Sequence, residues 1–172
     1  FEGSDEFRSM IASLPKVDLD SIRKVKSEQV VRNIEKIQGP LKQSHENASR
    51  WKDRDFDDAS WPKMELPGLW ERKALGNMDG VVWFRRNFSV TSNDAGQSAV
   101  LNLGPVDDAD ETFVNGVKVG ETNDYSKARS YTIPSGVLKE GANIVAVRVT
   151  DTGGGGGIYG GADDLHISVA NK

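Results

Sequence analysis

Two different apolar rhythms divide the chain near Arg50. Between Asp18 and Gln38 apolar residues fall at Leu19, Ile22, Val25, Val30, Ile34 and Ile37, mostly three or four apart, which describes one face of a helix. Asp18 or Asp20 is placed to cap its start and Gly39-Pro40 to end it. A shorter helix is predicted over Glu6 to Leu14, stopped by Pro15, and "LKQSHENASR" then reads as a polar connector. After Trp51 the period becomes two, in short runs separated by Gly, Pro, Asn and Asp. The runs are Val81–Val90, Ser98–Leu103, Glu111–Val119, Ser130–Ile133, Asn143–Thr150 and Leu165–Val169. Within the third, Asn115-Gly116 separates "TFV" from "VKV" and predicts a two-residue hairpin turn, because both residues tolerate positive φ. Alternation in the fifth puts Val145, Val147 and Val149 on a buried face and Ala146, Arg148 and Thr150 on the other. Six or more mostly antiparallel strands predict an all-β sandwich or barrel.

Composition narrows the partners. With 172 residues, 37% apolar and 28% charged, the chain is long enough for one cored domain with an appendage. The 26 acidic and 22 basic residues alternate, for a net charge of −4, so no basic stripe is offered to nucleic acid. No apolar run approaches the ~20 residues that cross a bilayer, so no membrane partner is expected. The chain starts at Phe1 without an initiator Met or the pattern of a signal peptide, and is expected to be a piece of a longer polypeptide. The absence of cysteine excludes disulfides and thiolate chemistry.

Several motifs lack their required context. Gly155-x-Gly157-x-x-Gly160 satisfies a dinucleotide fingerprint, but no amphipathic helix follows and a five-glycine run meets the pattern almost for free. "DRDFDD" (Asp53–Asp58) starts like a calcium loop, yet its sixth position is Asp58 and its twelfth Met64, so a solvated acidic turn is predicted and no metal site. Asn47-Ala48-Ser49 and Asn87-Phe88-Ser89 match the glycosylation triplet, the second inside a strand. His45 lies in the polar connector. Asp163-Asp164-Leu165-His166 has Asp-x-x-His spacing, but His166 belongs to the alternating run "DLHISVA" and no catalytic residue is assigned.

In "WFRRNF", Phe84 and Phe88 share a parity and are expected to point inward, leaving Trp83 facing outward or towards the helical arm. Arg86 has the inward parity too, and a buried guanidinium needs a carboxylate. Asp107, Asp108, Asp110 and Asp151 are the candidates, making Arg86 with Asp107 and Asp108 a predicted structural clamp.

The segments "FDDASWPKMELPGLW", "GVVWFRRNFSV", "LNLGPVDDADETFVNGVKVG", "YTIPSGVLKEGANIVAVRVTD" and "GGGGGIYG" together resemble, in order, the jelly-roll module inside bacterial sialate O-acetylesterases. That module is similar to the sugar-binding domain of glycoside hydrolase family two and to galactose-binding-like domains. The resemblance covers Trp51 to the end. It implies a jelly-roll β-sandwich over 51–172 with an N-terminal helical arm and connector over 1–50. It further implies a non-catalytic, carbohydrate-associated accessory module that needs no cofactor, from a periplasmic or secreted serine esterase that removes O-acetyl groups from sialic acids. The implied partner is the parent's catalytic domain, which carries a Gly-Asp-Ser block absent here. An autonomous glycan-binding module is the alternative.

The stretch "DTGGGGGIYGG" puts seven of the chain's 18 glycines into residues 151–161. Consecutive glycines lose the most entropy on ordering, so a mere connection would be shorter. An ordered loop is predicted at one end of the sandwich, facing the parent's catalytic domain or a sugar. Asp151 and Thr152 would anchor its start, Gly155 and Gly156 would admit a close neighbour, and Tyr159 would close over it. Trp83 completes this set of ligand or domain-interface candidates.

Overall fold

Val145, Val147 and Val149, the alternate residues of "NIVAVRV", form one wall of the core, as the period-two reading predicts. The computed structural model describes residues 48–73 and 75–169, all within the unit Asn47–Lys172. The helices predicted over Glu6–Leu14 and Asp18–Gln38, and His45, lie outside the described residues.

Among the described residues nine strands are present: β1 (Gly68–Leu69), β2 (Gly80–Val90), β3 (Ala99–Pro105), β4 (Ala109–Val114), β5 (Val117–Asn123), β6 (Ala128–Ile133), β7 (Gly141–Asp151), β8 (Gly157–Ile158) and β9 (His166–Val169). They make a four-stranded sheet in the order β2-β7-β4-β5, a three-stranded sheet β6-β3-β9 and a two-stranded ribbon β1-β8, with every pairing antiparallel. The expected all-β class holds, and all six predicted runs are strands. β1 and β8 are additions, too short to show a period.

The two larger sheets pack face to face. Leu101, Leu103 and Ile133 come from one and Val114, Val145, Val147 and Val149 from the other, in a cluster completed by Trp70, Val106, Leu138 and Ile158. Phe84 and Phe88 pack against it, as their parity predicts. At the β4–β5 turn Asn115 (φ 51°) and Gly116 (φ 84°) both adopt the left-handed backbone that a two-residue hairpin requires. Asn115 also ties the hairpin to β7. Its Oδ1 accepts the Ile144 amide (3.0 Å) and its Nδ2 donates to Asn143 Oδ1 (2.7 Å) and the Val137 carbonyl (2.9 Å).

The opposite face of the four-stranded sheet is covered as well. Phe113, Ile144 and Ala146 form a second cluster with Trp83, which stacks on Phe113 at 5.9 Å. Trp51 meets Trp83 edge-on at 6.0 Å and Trp61 at 5.4 Å, so residues 51–61 lie over this face. Arg85, on the same face of β2, pins them. Its Nε donates to Asp58 Oδ2 (2.7 Å), and its two terminal nitrogens donate to the carbonyls of Trp51, Asp53 (3.1 Å) and Phe56 (3.1 Å). The "DRDFDD" segment is therefore held by one guanidinium, with Arg54, Asp55 and Asp57 exposed.

Candidate functional site

The glycine-rich loop leaves β7 at Asp151. Its first part is exposed: Thr152, Gly153 and Gly154 face solvent. Its second part enters the core. β8 pairs with β1, the Gly156 carbonyl accepts the Trp70 amide (2.9 Å), and the Gly156 amide donates to Glu71 Oε1 (2.8 Å). Trp70 is 0% exposed, donates from Nε1 to the Met78 carbonyl (2.9 Å) and stacks on Phe84 at 6.2 Å. The backbone of Gly156 lies directly on its indole, where a Cβ would stand 1.9 Å from Cζ2. The close neighbour that demands glycine is thus Trp70 of the same domain.

Gly155 and Gly156, predicted as ligand or interface positions, are corrected in this respect. Gly156 is buried, and a Cβ on Gly155 would stand 3.1 Å from Leu69 Cδ1. The surface available to a partner is the tip Thr152–Gly154. Tyr159 is half-buried; its amide donates to the Pro105 carbonyl (3.1 Å) and its hydroxyl to the Tyr125 carbonyl. It closes on the β5–β6 turn of its own chain. Trp83 is remote from this loop, held in the second cluster across the sheet.

Asp107, Asp108, Asp151 and Thr152 do come together. Asp108 has φ 37°, and its Oδ2 accepts both the Thr152 amide (2.7 Å) and the Thr152 hydroxyl, tying the β3–β4 turn to the loop. These two bonds hold the Asp108 carboxyl below its usual range. Asp151 Oδ1 accepts the Gly153 amide (2.7 Å), so Asp151 and Thr152 anchor the start of the loop as predicted. The Asp107 amide donates to the Gly157 carbonyl (2.9 Å). Burial, then the charges of Asp108 and Asp151, push the Asp107 carboxyl up to about 6.

The predicted clamp is a correction. Arg86 is exposed, because β2 is the edge strand of its sheet and a long side chain there reaches water despite its inward parity. Asp107 and Asp108 therefore do not hold it. The buried ion pair is Arg129 with Asp110, at 2.8 Å, both side chains fully shielded. Asp110 Oδ1 also accepts the Tyr131 hydroxyl (2.9 Å) and Oδ2 the Thr112 hydroxyl (2.7 Å), while Arg129 Nη1 donates to the carbonyls of Asp124 (2.6 Å) and Lys127. Burial pushes the Tyr131 phenol up to about 12. The signal was available, since Arg129, Tyr131 and Ile133 share the inward parity of "ARSYTI".

His166 is exposed, with Nδ1 2.8 Å from the Asp163 carbonyl and Nε2 3.2 Å from Asn102 Nδ2. It meets the backbone of Asp163 and not its carboxylate, so the Asp-x-x-His spacing does not make an acid–base pair. The fingerprint Gly155-x-Gly157-x-x-Gly160 runs into β8 and a 3-10 turn at Ala162–Asp164, with no helix to receive a phosphate. Among the described residues no helix is long and apolar enough to cross a membrane.

Comparison with known proteins gives the lineage. A glycosyl hydrolase family 2 member from Bacteroides cellulosilyticus shares 22% identity with a TM-score of 0.57, over 63% of this chain and 17% of that one. β-Glucuronidase 2 of Bacteroides uniformis shares 25% identity with a TM-score of 0.59, over 69% of this chain and 16% of that one. A further structure of a Bacteroides uniformis β-glucuronidase shares 26% identity with a TM-score of 0.54, over 64% of this chain and 15% of that one. The chain thus spans about one sixth of the length of these glycosidases. No curated protein matches it. The family model described as the second all-β domain of β-galactosidase matches residues 45–155, well over half of the chain. The β-sandwich described above belongs to that family, the second all-β domain of β-galactosidase.

Proposed function

We propose that this domain is a non-catalytic accessory module of a larger carbohydrate-active hydrolase, and that the parent is a sialate O-acetylesterase-like serine esterase acting in the periplasm or outside the cell. The accessory role is supported by the family and by the one histidine among the described residues, whose two ring nitrogens face Asn102 and a backbone carbonyl. The choice of an esterase parent rests on a single observation, the order of the five motifs from "FDDASWPKMELPGLW" to "GGGGGIYG". The module's partner is then the parent's catalytic domain, met through the exposed tip Thr152–Gly154. A family 2 glycosidase is the competing parent, since the solved relatives above carry that activity.

The flanking sequence and the full-length enzyme test this directly. A Gly-Asp-Ser block upstream, an Asp-x-x-His block downstream and hydrolysis of O-acetyl sialic acid are expected. Cleavage of a β-glycoside with no acetyl release overturns the esterase parent and leaves the accessory role standing. Acetyl release by the isolated 172-residue chain, lost on His166→Ala, overturns the accessory role itself.

A second reading, glycan binding by the module, is favoured by Tyr125, which is 62% exposed and joined through its carbonyl to Tyr159 beside the loop. Saturable millimolar binding of sialylated or galactosylated oligosaccharides, lost on Tyr125→Ala, supports it, and absence of binding removes it.

A further inference from the structure

The three aspartates at the foot of the glycine loop crowd carboxylate oxygens together with no ion pair among the described residues to neutralise them, the Asp107 and Asp151 carboxyls lying within hydrogen-bonding reach of each other. Asp107 and Asp108 leave the end of β3, and Asp151 ends β7, 43 residues later in the chain by number (151 − 108). Each offers a carboxylate oxygen to a common point, with mutual separations no greater than 4.8 Å. Nothing basic neutralises them: among the described ion pairs, the arginines and lysines face Asp53, Asp55, Asp58, Asp110, Glu111 and Glu121.

A second observation turns this acidic cluster towards a ligand. Asp151 is only 2% exposed, and although its Oδ1 accepts the Gly153 amide, its Oδ2 is shut off from solvent with no hydrogen-bond partner among the described residues. Asp107 Oδ2 is in the same condition. A carboxylate oxygen removed from water without a donor costs several kcal/mol as a rule, and two of them in one cluster add mutual repulsion. Such oxygens are relieved either by a proton shared between Asp107 and Asp151 or by a cation, and only a cation also engages Asp108.

We propose that Asp107, Asp108 and Asp151 form a divalent-cation site, selective for calcium, that fastens the glycine loop to the β3–β4 turn. The donor set is all carboxylate oxygen, with no His or Cys, which selects a hard cation over zinc or copper. Calcium is favoured over magnesium, which dehydrates reluctantly and keeps several waters where calcium accepts an irregular set of protein carboxylates. A cation there links residues that are far apart in sequence and immobilises Asp151–Gly153, the soft entry to the loop, while leaving the tip Thr152–Gly154 as the presented surface. This assignment adds a metal site that the sequence pattern did not reveal, and it stands or falls independently of which enzyme is the parent.

The test is a calcium titration of the full chain after dialysis against EDTA. Isothermal titration with CaCl2 is expected to show one saturable site per chain with Kd about 10⁻⁵ to 10⁻³ M. At ~100-fold excess over Kd, Tm should rise by about 5–15 °C. MgCl2 should give a smaller rise, and the amides of Thr152 to Gly157 should exchange more slowly with calcium. Asp151→Asn should weaken binding at least about tenfold, with Asp107→Asn as the second variant should the first not fold. Asp163→Asn, at an exposed acid outside the cluster, should leave binding unchanged. The proposal is overturned if the wild-type chain shows no saturable heat and no Tm change up to about 10 mM CaCl2. It is equally overturned if folded Asp151→Asn and Asp107→Asn chains bind calcium as the wild type does. A third overturning result is that Asp151→Asn raises Tm in EDTA while calcium does nothing, since the two carboxyls then share a proton instead of a cation.

Discussion

Replacing Gly156 by Ala tests the meaning of the glycine run at one atom. The added Cβ would lie 1.9 Å from Cζ2 of Trp70 and 2.4 Å from Cε2 and Cη2, so about 1.5 Å of movement (3.4 − 1.9) is needed to reach ordinary contact. The indole cannot yield. It is fully buried, hydrogen-bonded through Nε1 to Met78 and stacked on Phe84. The loop cannot yield without losing the Trp70 amide to Gly156 carbonyl bond and the Gly156 amide to Glu71 bond. Overpacking alone costs about 1–3 kcal/mol and each lost hydrogen bond about 0.5–1.5 kcal/mol. Expelling Trp70 altogether is bounded by the about 3–5 kcal/mol of a Trp→Ala truncation. Gly156→Ala should therefore destabilise by about 3–5 kcal/mol, a large part of the stability of an ordinary domain. Gly155→Ala meets the end of the Leu69 side chain at 3.1 Å and Glu71 Oε2 at an ordinary 3.7 Å, and should cost about 1 kcal/mol or less. Urea unfolding followed by tryptophan fluorescence reads both. A Gly156→Ala midpoint within about 0.5 kcal/mol of wild type would refute the reasoning, because the loop would then be free to leave Trp70.

Three further outcomes follow from the same contacts. Asp110→Ala should cost about 3–5 kcal/mol in urea unfolding, because Arg129 is left as a buried charge without its carboxylate; Tyr131→Phe, which removes the hydroxyl shared by Asp110 and Thr122, should cost about 1–3 kcal/mol. Arg85→Ala should cost about 1–3 kcal/mol and release residues 51–61, seen as faster amide exchange there while β4 and β7 stay protected. In EDTA, Asp107 makes stability fall as pH rises. Its carboxyl titrates at about 6 in the folded chain against about 4 unfolded, so the folded state holds the proton more tightly and this contribution, whole below about pH 4, is lost by about pH 6 to 7. Asp108, Asp151 and Tyr159 are the titratable groups facing it. Other carboxylates move the total curve, so the reading is the difference between wild type and Asp107→Asn, which should shift against the wild type across that window; no shift sinks the assignment.

What could be read from the chain alone were the features carried by local geometry. Alternation is a property of the extended backbone, so "NIVAVRV" disclosed its core face before any partner strand was known, and "ARSYTI" carried the same signal for Arg129, Tyr131 and Ile133. Asn115-Gly116 announced its turn because positive φ is a property of those two residues. The glycine run announced that something must come close. The features that stayed hidden depend on which distant segments meet. Gly68–Leu69 and Gly157–Ile158 are too short to show a period, and their pairing, with Trp70 set against Gly156, exists only once the two sheets have closed. Parity located Arg86 on the inward side of β2 but could not say that β2 is an edge, where a long cation escapes to water; Arg129, of equal parity in β6, is sealed by Asp110 across the sandwich. In the same way Asp107, Asp108 and Asp151 are three unremarkable acids along the chain. Only the tertiary fold decides that they share one point, because burial and charge proximity are set by long-range packing and not by the order of residues.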